Sequence, residues 1–237
     1  MLEFVAETGS TNADLLQRLG QGERIAEGHW LIADRQSGGR GRHGRKWADG
    51  SGNFMGSTIV HADRHSPPAA SLALVAGLAV RTTVEPFISQ GSNLALKWPN
   101  DLLVDGAKLA GILLERTGDS VVVGIGVNLV TAPRLVDRLV CSIADAGTAP
   151  DRNSFAAALA SDFAKELGRW RRYGLNVLLR RWQGAAYPMG TKLAVHEPGG
   201  NRISGEFAGL DPAGSLLLRL ADGTMRVIHA GDINLTR

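Results

Sequence analysis

Apolar residues recur in two rhythms along the chain, and the switches between them predict its elements. Ser10-Thr11 stand before Asn12, Ala13, Asp14, Leu15, Leu16 and Leu19, with Gly20 behind, which is the signature of a short helix with a hydroxyl cap. His29–Gln36 and Asn53–Val60 have strand character, with a loop rich in glycine and arginine, Ser37–Gly52, between them. Pro67-Pro68 opens a helical pattern that runs to about Phe87 and is apolar nearly all round, as in a helix packed on a sheet. Leu94–Trp98, Leu102–Val104, Ala107–Glu115 and Ser120–Val130 read as consecutive antiparallel strands, with a turn at Asp105-Gly106. Helical spacing returns over Asn153–Tyr173 and Val177–Trp182 and stops near Gly184 and Tyr187-Pro188, a candidate domain boundary. Beyond it, Lys192–His196, Gly205–Leu210, Ser215–Leu220 and Thr224–His229 are short strands separated by Pro198-Gly199-Gly200, Asp211-Pro212-Ala213-Gly214 and Asp222-Gly223. The pattern predicts an α+β fold: a mixed, mainly antiparallel sheet packed with helices over residues 1–186, then a small β-barrel over residues 187–237.

Composition narrows the function. With 237 residues and 44% apolar content the chain can bury a full core. A formal charge of +3 is too small to make nucleic acid the default partner. The single cysteine, Cys141, excludes an internal disulfide framework and a multi-cysteine metal site, and suits a reducing compartment. The first residues, MLEFVAETGSTNADLL, carry Glu3, Glu7 and Asp14 and lack the regions of a signal peptide. The longest apolar stretch, roughly residues 69–80, falls short of the ~20 needed to span a bilayer. A soluble, cytoplasmic protein is therefore expected.

Three segments carry candidate chemistry. In Gln36–Trp47, Gly39, Gly41 and Gly44 have the spacing of a dinucleotide fingerprint, but Arg45–Gly52 makes a poor helix start, so no helix dipole is available for a pyrophosphate. A P-loop is excluded too, because Arg45 and Lys46 stand where lysine and then serine or threonine are required. There remains a loop whose amides can approach an anion while Arg40, Arg42, Arg45 and Lys46 supply charge, and Trp47 can stack on a base or order the loop. A solvated basic loop, or a non-specific contact with nucleic acid, is the alternative. Lys97-Trp98-Pro99-Asn100-Asp101 and Lys108-Leu109-Ala110-Gly111 place two lysines and two polar groups near strand ends, either aimed at one site or lying on the surface. Gly124-Ile125-Gly126-Val127-Asn128 puts glycine in a strand, for the close approach of a ligand or for a bulge. His61 and His65 are followed at once by Pro67-Pro68, and neither an H-E-x-x-H nor a G-x-S-x-G pattern occurs.

Taken together and in order, Ser10-Thr11-Asn12, GRGRHGRKW at Gly39–Trp47, KWPND at 97–101, KLAGIL at 108–113 and GIGVN at 124–128 resemble the bacterial biotin–protein ligases. The resemblance covers essentially the whole chain. It implies the class II synthetase-like fold of biotin and lipoate ligases with an SH3-like C-terminal barrel. It also implies ATP-dependent formation of biotinyl-5′-adenylate and transfer of biotin to a lysine of a biotin carboxyl carrier protein. By this resemblance Ser10, Thr11, Asn12 and Gln36 hold the biotin ring system, and Gly39, Arg40, Gly41 and Arg42 enclose its carboxylate and later the adenylate phosphate. Lys108 is the central catalytic cation, aided by Arg40 and Arg42. Arg42, Arg45, Trp47, Lys97, Asn100 and Asn128 line the nucleotide side, and Asp101 is the candidate ligand for Mg2+. Regulatory relatives carry a DNA-binding domain before the ligase motif, which here begins at Ser10, so a short, monofunctional ligase without DNA as a partner is expected; the short apolar stretch argues against a membrane, and a sheet edge leaves a homodimer open. A lipoate–protein ligase is the nearest alternative and a non-enzymatic nucleic-acid-binding module the more distant one; the GRGRHGR and KWPND forms favour biotin.

Overall fold

Seven strands and three long helices account for most of the described chain up to residue 186. The computed structural model describes residues 1–48, 50–136, 138–197 and 200–235. The main sheet contains β1 (Leu2–Thr8), β2 (Trp30–Gln36), β3 (Phe54–His61), β4 (Leu94–Lys97), β5 (Asp101–Val104), β6 (Ala107–Thr117) and β7 (Ser120–Val127). Their order across the sheet is β1-β2-β3-β7-β6-β5-β4. Among these described strands only β1 and β2 run parallel, and every other neighbouring pair is antiparallel. β1 is not expected from the sequence. It is an edge strand with half-exposed residues, so its apolar alternation is diluted by Glu3 and Glu7.

The two faces of this sheet have different jobs. Helix α1 (Thr11–Gly20) covers one face, where Leu15 packs with Ile25, Leu31, Ile59 and Val122. Helices α2 (Leu72–Val84) and α4 (Arg152–Ala185) cover the other, over Trp30, Ile32, Phe54, Val123 and Ile125; between them in sequence lies the short α3 (Ile143–Ala146). Burial on both sides explains why β3 is buried at seven of its eight positions and why its sequence shows little alternation. The expected long helix is three pieces, a 3-10 turn at Ala69–Ser71, α2, and a second 3-10 turn at Glu85–Phe87. Taken as one run with Arg81 and Glu85 included, Ala69–Phe87 is 19 residues long and apolar enough to cross a membrane by length and composition, although its uninterrupted apolar part is the shorter stretch read from the sequence. Here it lies between the sheet and α4 with most of its apolar residues in the core. The two helical segments expected after residue 152 form one element bent at Gly174, whose φ of 70° lies in the left-handed region that glycine tolerates.

The C-terminal sheet is SH3-like and five-stranded, built from β8 (Lys192–His196), β9 (Arg202–Leu210), β10 (Leu216–Arg219), β11 (Met225–Ile228) and β12 (Asp232–Leu235) in the order β11-β10-β9-β8-β12. The last strand, only four residues long, is not signalled by the sequence pattern. The turn expected at Pro198-Gly199-Gly200 lies, for its first two residues, outside the described residues. Apolar residues of this sheet, among them Leu193, Phe207 and Leu216, join the same core as Leu96, Trp98 and Tyr187, so the two sheets share one packed interior.

Candidate active site

The site forms on the α1 face of the main sheet, where glycine replaces bulk. Gly111, Gly124 and Gly126 belong to the paired strands β6 and β7 and line a cavity of about 410 Å³. Around it stand Ser10, Thr11, Asn12, Gln36, Arg40, Gly41, Arg42, Arg45, Trp47, Asn100, Asp101, Lys108 and Asn128. Nearly all the residues singled out in the sequence thus reach one cavity. Gly39 and Lys97 do not line it. Gly39 serves chain packing: a side chain there would meet the Trp47 carbonyl at 2.9 Å. Lys97 contacts the cavity's lining through Asp101, whose carboxylate its ammonium reaches at 3.3 Å.

One end of the cavity is neutral and polar. Ser10 caps α1, so Thr11 and Asn12 start the helix with their side chains buried against the sheet. The Thr11 N–H donates to Gln36 Oε1 at 2.8 Å, and the Thr11 hydroxyl lies 2.6 Å from that of Ser57. Ser57 is fully buried and is missed in the sequence, where it reads as one more strand residue; a polar side chain amid buried apolar neighbours is the available signal.

The opposite side is cationic, and a bulge places its central group. Pairing of β5 with β6 slips between Leu102 and Leu103, so that Ala110 and Lys108 face successive partners and Leu109 is extra. Strict alternation counted back from Gly111 would have turned Lys108 to the α2 face. The bulge returns it to the face of Gly111, a re-aiming that bulges beside sites commonly perform. Lys108 Nζ donates to Asp101 Oδ1 at 2.5 Å. Burial alone would raise the Asp101 acid, but Lys108 and then Lys97 outweigh it and hold the carboxyl below its ordinary value. Its contribution to stability is present above the unfolded carboxylate pKa of ~3.9 and is lost as pH falls through the lower folded value. Burial pulls the Lys97 ammonium below its ordinary value, opposed chiefly by Asp101. The Arg42 guanidinium is lowered by burial too, again opposed by Asp101, and it donates to Asn100 Oδ1 at 3.2 Å. Asn100 is itself fixed by donating to the Ile112 carbonyl at 2.7 Å. The Asn128 amide nitrogen is engaged by the Cys141 carbonyl at 3.0 Å, and burial pushes the Cys141 thiol up to about 11, consistent with an inert cysteine.

The glycine–arginine loop is a tight hairpin. Gly41 N–H donates to the Arg45 carbonyl at 2.7 Å, Trp47 N–H to Gly39 at 3.0 Å, and Arg40 bridges Lys46. At its tip His43 and Gly44 both have positive φ, 55° and 72°. The hairpin carries Trp47 onto the glycine floor, where a side chain on Gly126 would overlap the indole and one on Gly111 would meet it at 3.1 Å. Lys108 Nζ lies 5.9 Å from the indole centre, within cation–π range. Gly126→Ala is therefore expected to unseat Trp47 at a cost of about 1–3 kcal/mol, the usual range for overpacking. A lowered denaturant midpoint together with weakened ligand binding would show it, and an unchanged midpoint would mean that the indole moves aside freely.

The C-terminal sheet touches two segments that carry cavity residues. Asp232 of β12 lines it and forms an ion pair with Arg45 of the hairpin. Trp98, buried between the Lys97 and Asn100 positions, donates its indole N–H to the Gly214 carbonyl at 2.9 Å. Neither contact is visible in the sequence, since each joins segments more than a hundred residues apart.

A partly open cavity with neutral hydrogen-bonding groups at one end and clustered cations at the other suits a protein that binds an anionic small molecule and offsets its charge. Residues 8–129 match the biotin/lipoate A/B protein ligase family and residues 195–235 the biotin protein ligase C terminal domain. The chain is 40% identical over 236 residues to the biotin--[acetyl-CoA-carboxylase] ligase of Mycobacterium tuberculosis, covering 98% of this chain and 88% of that one. It is 34% identical over 239 residues to the bifunctional ligase/repressor BirA of Escherichia coli, covering 95% of this chain and 71% of that protein. Its structure superposes on the biotin protein ligase of Aquifex aeolicus in complex with biotin and ATP with a TM-score of 0.84 at 26% identity, covering 100% and 98% of the two chains. The chain belongs to the biotin/lipoate A/B protein ligase family.

Proposed function

We propose that this protein joins biotin to ATP as biotinyl-5′-adenylate and passes the biotinyl group to a lysine of a biotin carboxyl carrier protein in the cytoplasm. The observation that carries the reading is that Lys108 and Arg42 meet at one cavity whose far end is built of neutral polar groups. A ring with N–H and C=O groups suits that end, and a carboxylate suits the cations. Ser10, Thr11 and Gln36 hold the ring, while Arg40, Gly41, Arg42 and Lys108 surround the carboxylate.

In the first step a carboxylate oxygen attacks the α-phosphorus of ATP, the P–O bond to the β-phosphate breaks, and pyrophosphate leaves. Two anions are brought together, and Lys108, Arg40 and Arg42 offset their repulsion and the charge that develops. Trp47, Asn100 and Asn128 border the nucleotide, with Leu135 and Val140 adding apolar wall suited to the base. Magnesium enters as part of the nucleotide substrate, held by its phosphates. Among the described residues no three His, Cys, Asp or Glu side chains come together to hold a metal ion, and the Asp101 oxygens already face Lys108 and Lys97. In the second step the neutral amine of the carrier lysine attacks the acyl carbon, the C–O bond to the phosphate breaks, and AMP leaves. The mixed anhydride is sensitive to water, so the hairpin and its Trp47 act as a cover until the amine arrives. No covalent enzyme intermediate is required.

The deciding experiment incubates enzyme, ATP and magnesium with biotin or with lipoate. Pyrophosphate release and a mass increase on purified carrier are expected with biotin; turnover with lipoate alone would transfer the assignment to lipoate ligation.

A further inference from the structure

A chain of four buried or half-buried groups runs from the biotin end of the cavity to a carboxylate that does not line it. Asn12 Nδ2 donates to Glu115 Oε2 at 2.8 Å, Ser57 Oγ donates to Asn12 Oδ1 at 2.6 Å, and Ser57 Oγ lies 2.6 Å from Thr11 Oγ1. Ser57, Asn12 and Thr11 are no more than 4% exposed. The chain is sterically built: a side chain on Gly124 would overlap the Asn12 amide, so the glycine makes room for it.

The direction of every hydrogen in this chain follows from its last member. A carboxylate oxygen only accepts, so the Asn12 NH2 must face Glu115 and its oxygen must face Ser57. That oxygen cannot donate, so Ser57 spends its one hydroxyl hydrogen on it. At the Ser57–Thr11 contact, Thr11 must then be the donor, and its only hydroxyl hydrogen is used there. The Thr11 hydroxyl also lies 3.2 Å from Gln36 Oε1, which already accepts the Thr11 backbone N–H at 2.8 Å. What Thr11 Oγ1 has left for the cavity is a lone pair. Gln36, its oxygen turned to Thr11, has its NH2 as the complementary donor.

We propose that Glu115 is a positioning residue that sets ligand specificity, acting through Asn12 and Ser57 to make Thr11 an obligate acceptor. Thr11 then receives an N–H from the ligand ring and Gln36 gives a hydrogen to its carbonyl, a pattern matched by a cyclic urea. A ring without N–H, such as a dithiolane, leaves the Thr11 lone pair unmatched in a buried site, where an unpaired polar group is costly. This inference rests on biotin being the acid that is activated.

The test compares biotin with a cyclic carbamate analogue, in which a ring oxygen replaces one ureido N–H, in wild type, Glu115→Gln and Ser57→Ala. Separate analogues carry the oxygen at each of the two nitrogen positions. Wild type is expected to prefer biotin in kcat/KM over at least one analogue by roughly 10-fold or more, the equivalent of one buried hydrogen bond. In Glu115→Gln the amide can give or accept, the direction of the chain is no longer imposed, and Thr11 can turn its hydrogen to the analogue oxygen. The preference should fall at least severalfold, with KM for biotin raised and KM for ATP unmoved. Ser57→Ala interrupts the chain at its middle and should give the same loss. A purely structural role would change yield or stability without changing the biotin-to-analogue ratio. Retention of the wild-type ratio in a folded variant overturns the proposal, as does equal use of biotin and both analogues by wild type, which needs no variant. Absence of biotin-dependent pyrophosphate release in wild type is a separate result, and it would remove the underlying assignment instead.

Discussion

Lys108→Ala is expected to lower both adenylate formation and biotinyl transfer by about 10²–10³-fold, the range found when one preorganised group stabilising transition-state charge is removed. The bulge at Leu109 aims the ammonium into the cavity, and residues 139–141 fix the backbone beneath it: Lys108 N–H donates to the Leu139 carbonyl at 2.9 Å and Cys141 N–H donates to the Lys108 carbonyl at 3.0 Å. Those backbone bonds survive the substitution, and Asp101 retains Lys97 at 3.3 Å, so the fold should persist. Separate measurement of pyrophosphate release and of single-turnover transfer from preformed adenylate, with a melting curve, checks this. Near-normal rates in both steps would remove Lys108 from the mechanism.

Arg42→Gly should act mainly on retention. Half-buried and anchored to Asn100, Arg42 is placed to keep the adenylate phosphate in the cavity, and its removal forfeits charge-assisted contacts worth about 1.5–3 kcal/mol. That corresponds to release of the adenylate faster by roughly 10- to 150-fold. Activated biotin in solution acylates any amine it meets, so an unrelated protein added to the reaction should become biotinylated on its lysines. Bystander labelling equal to that of wild type would count against the role.

How much of the molecule is legible in the chain alone depends on whether the determining contact is local. The Ser10 cap, the strands carrying KLAGIL and GIGVN, and the turn of KWPND are set by neighbours within a few residues, and the sequence shows them. The direction of Lys108 is hidden, because it depends on a pairing slip against β5. The glycines of the GIG segment are sites of close approach, as their place in a strand suggests, but what approaches them, Asn12 at Gly124 and Trp47 at Gly126, comes from distant segments. Gly39 and Lys97 lie within the motifs but are not among the lining residues: a side chain on Gly39 would meet the Trp47 carbonyl, and Lys97 reaches the lining Asp101. Ser57, Glu115 and Asp232 belong to none of the motif segments, and only three-dimensional proximity connects them with the site.

The contacts of Trp98 with Gly214 and of Arg45 with Asp232 have a mechanical consequence. They seize the two rims of one cleft, the turn bearing Asn100 and the hairpin bearing Arg42, from a single five-stranded body that shares its interior with the main sheet. The gap between those rims is therefore gauged by a part of the chain remote in sequence from every motif, much as a caliper holds its jaws. Loosening the gauge would alter the spacing of the reacting partners while leaving each chemical group in place.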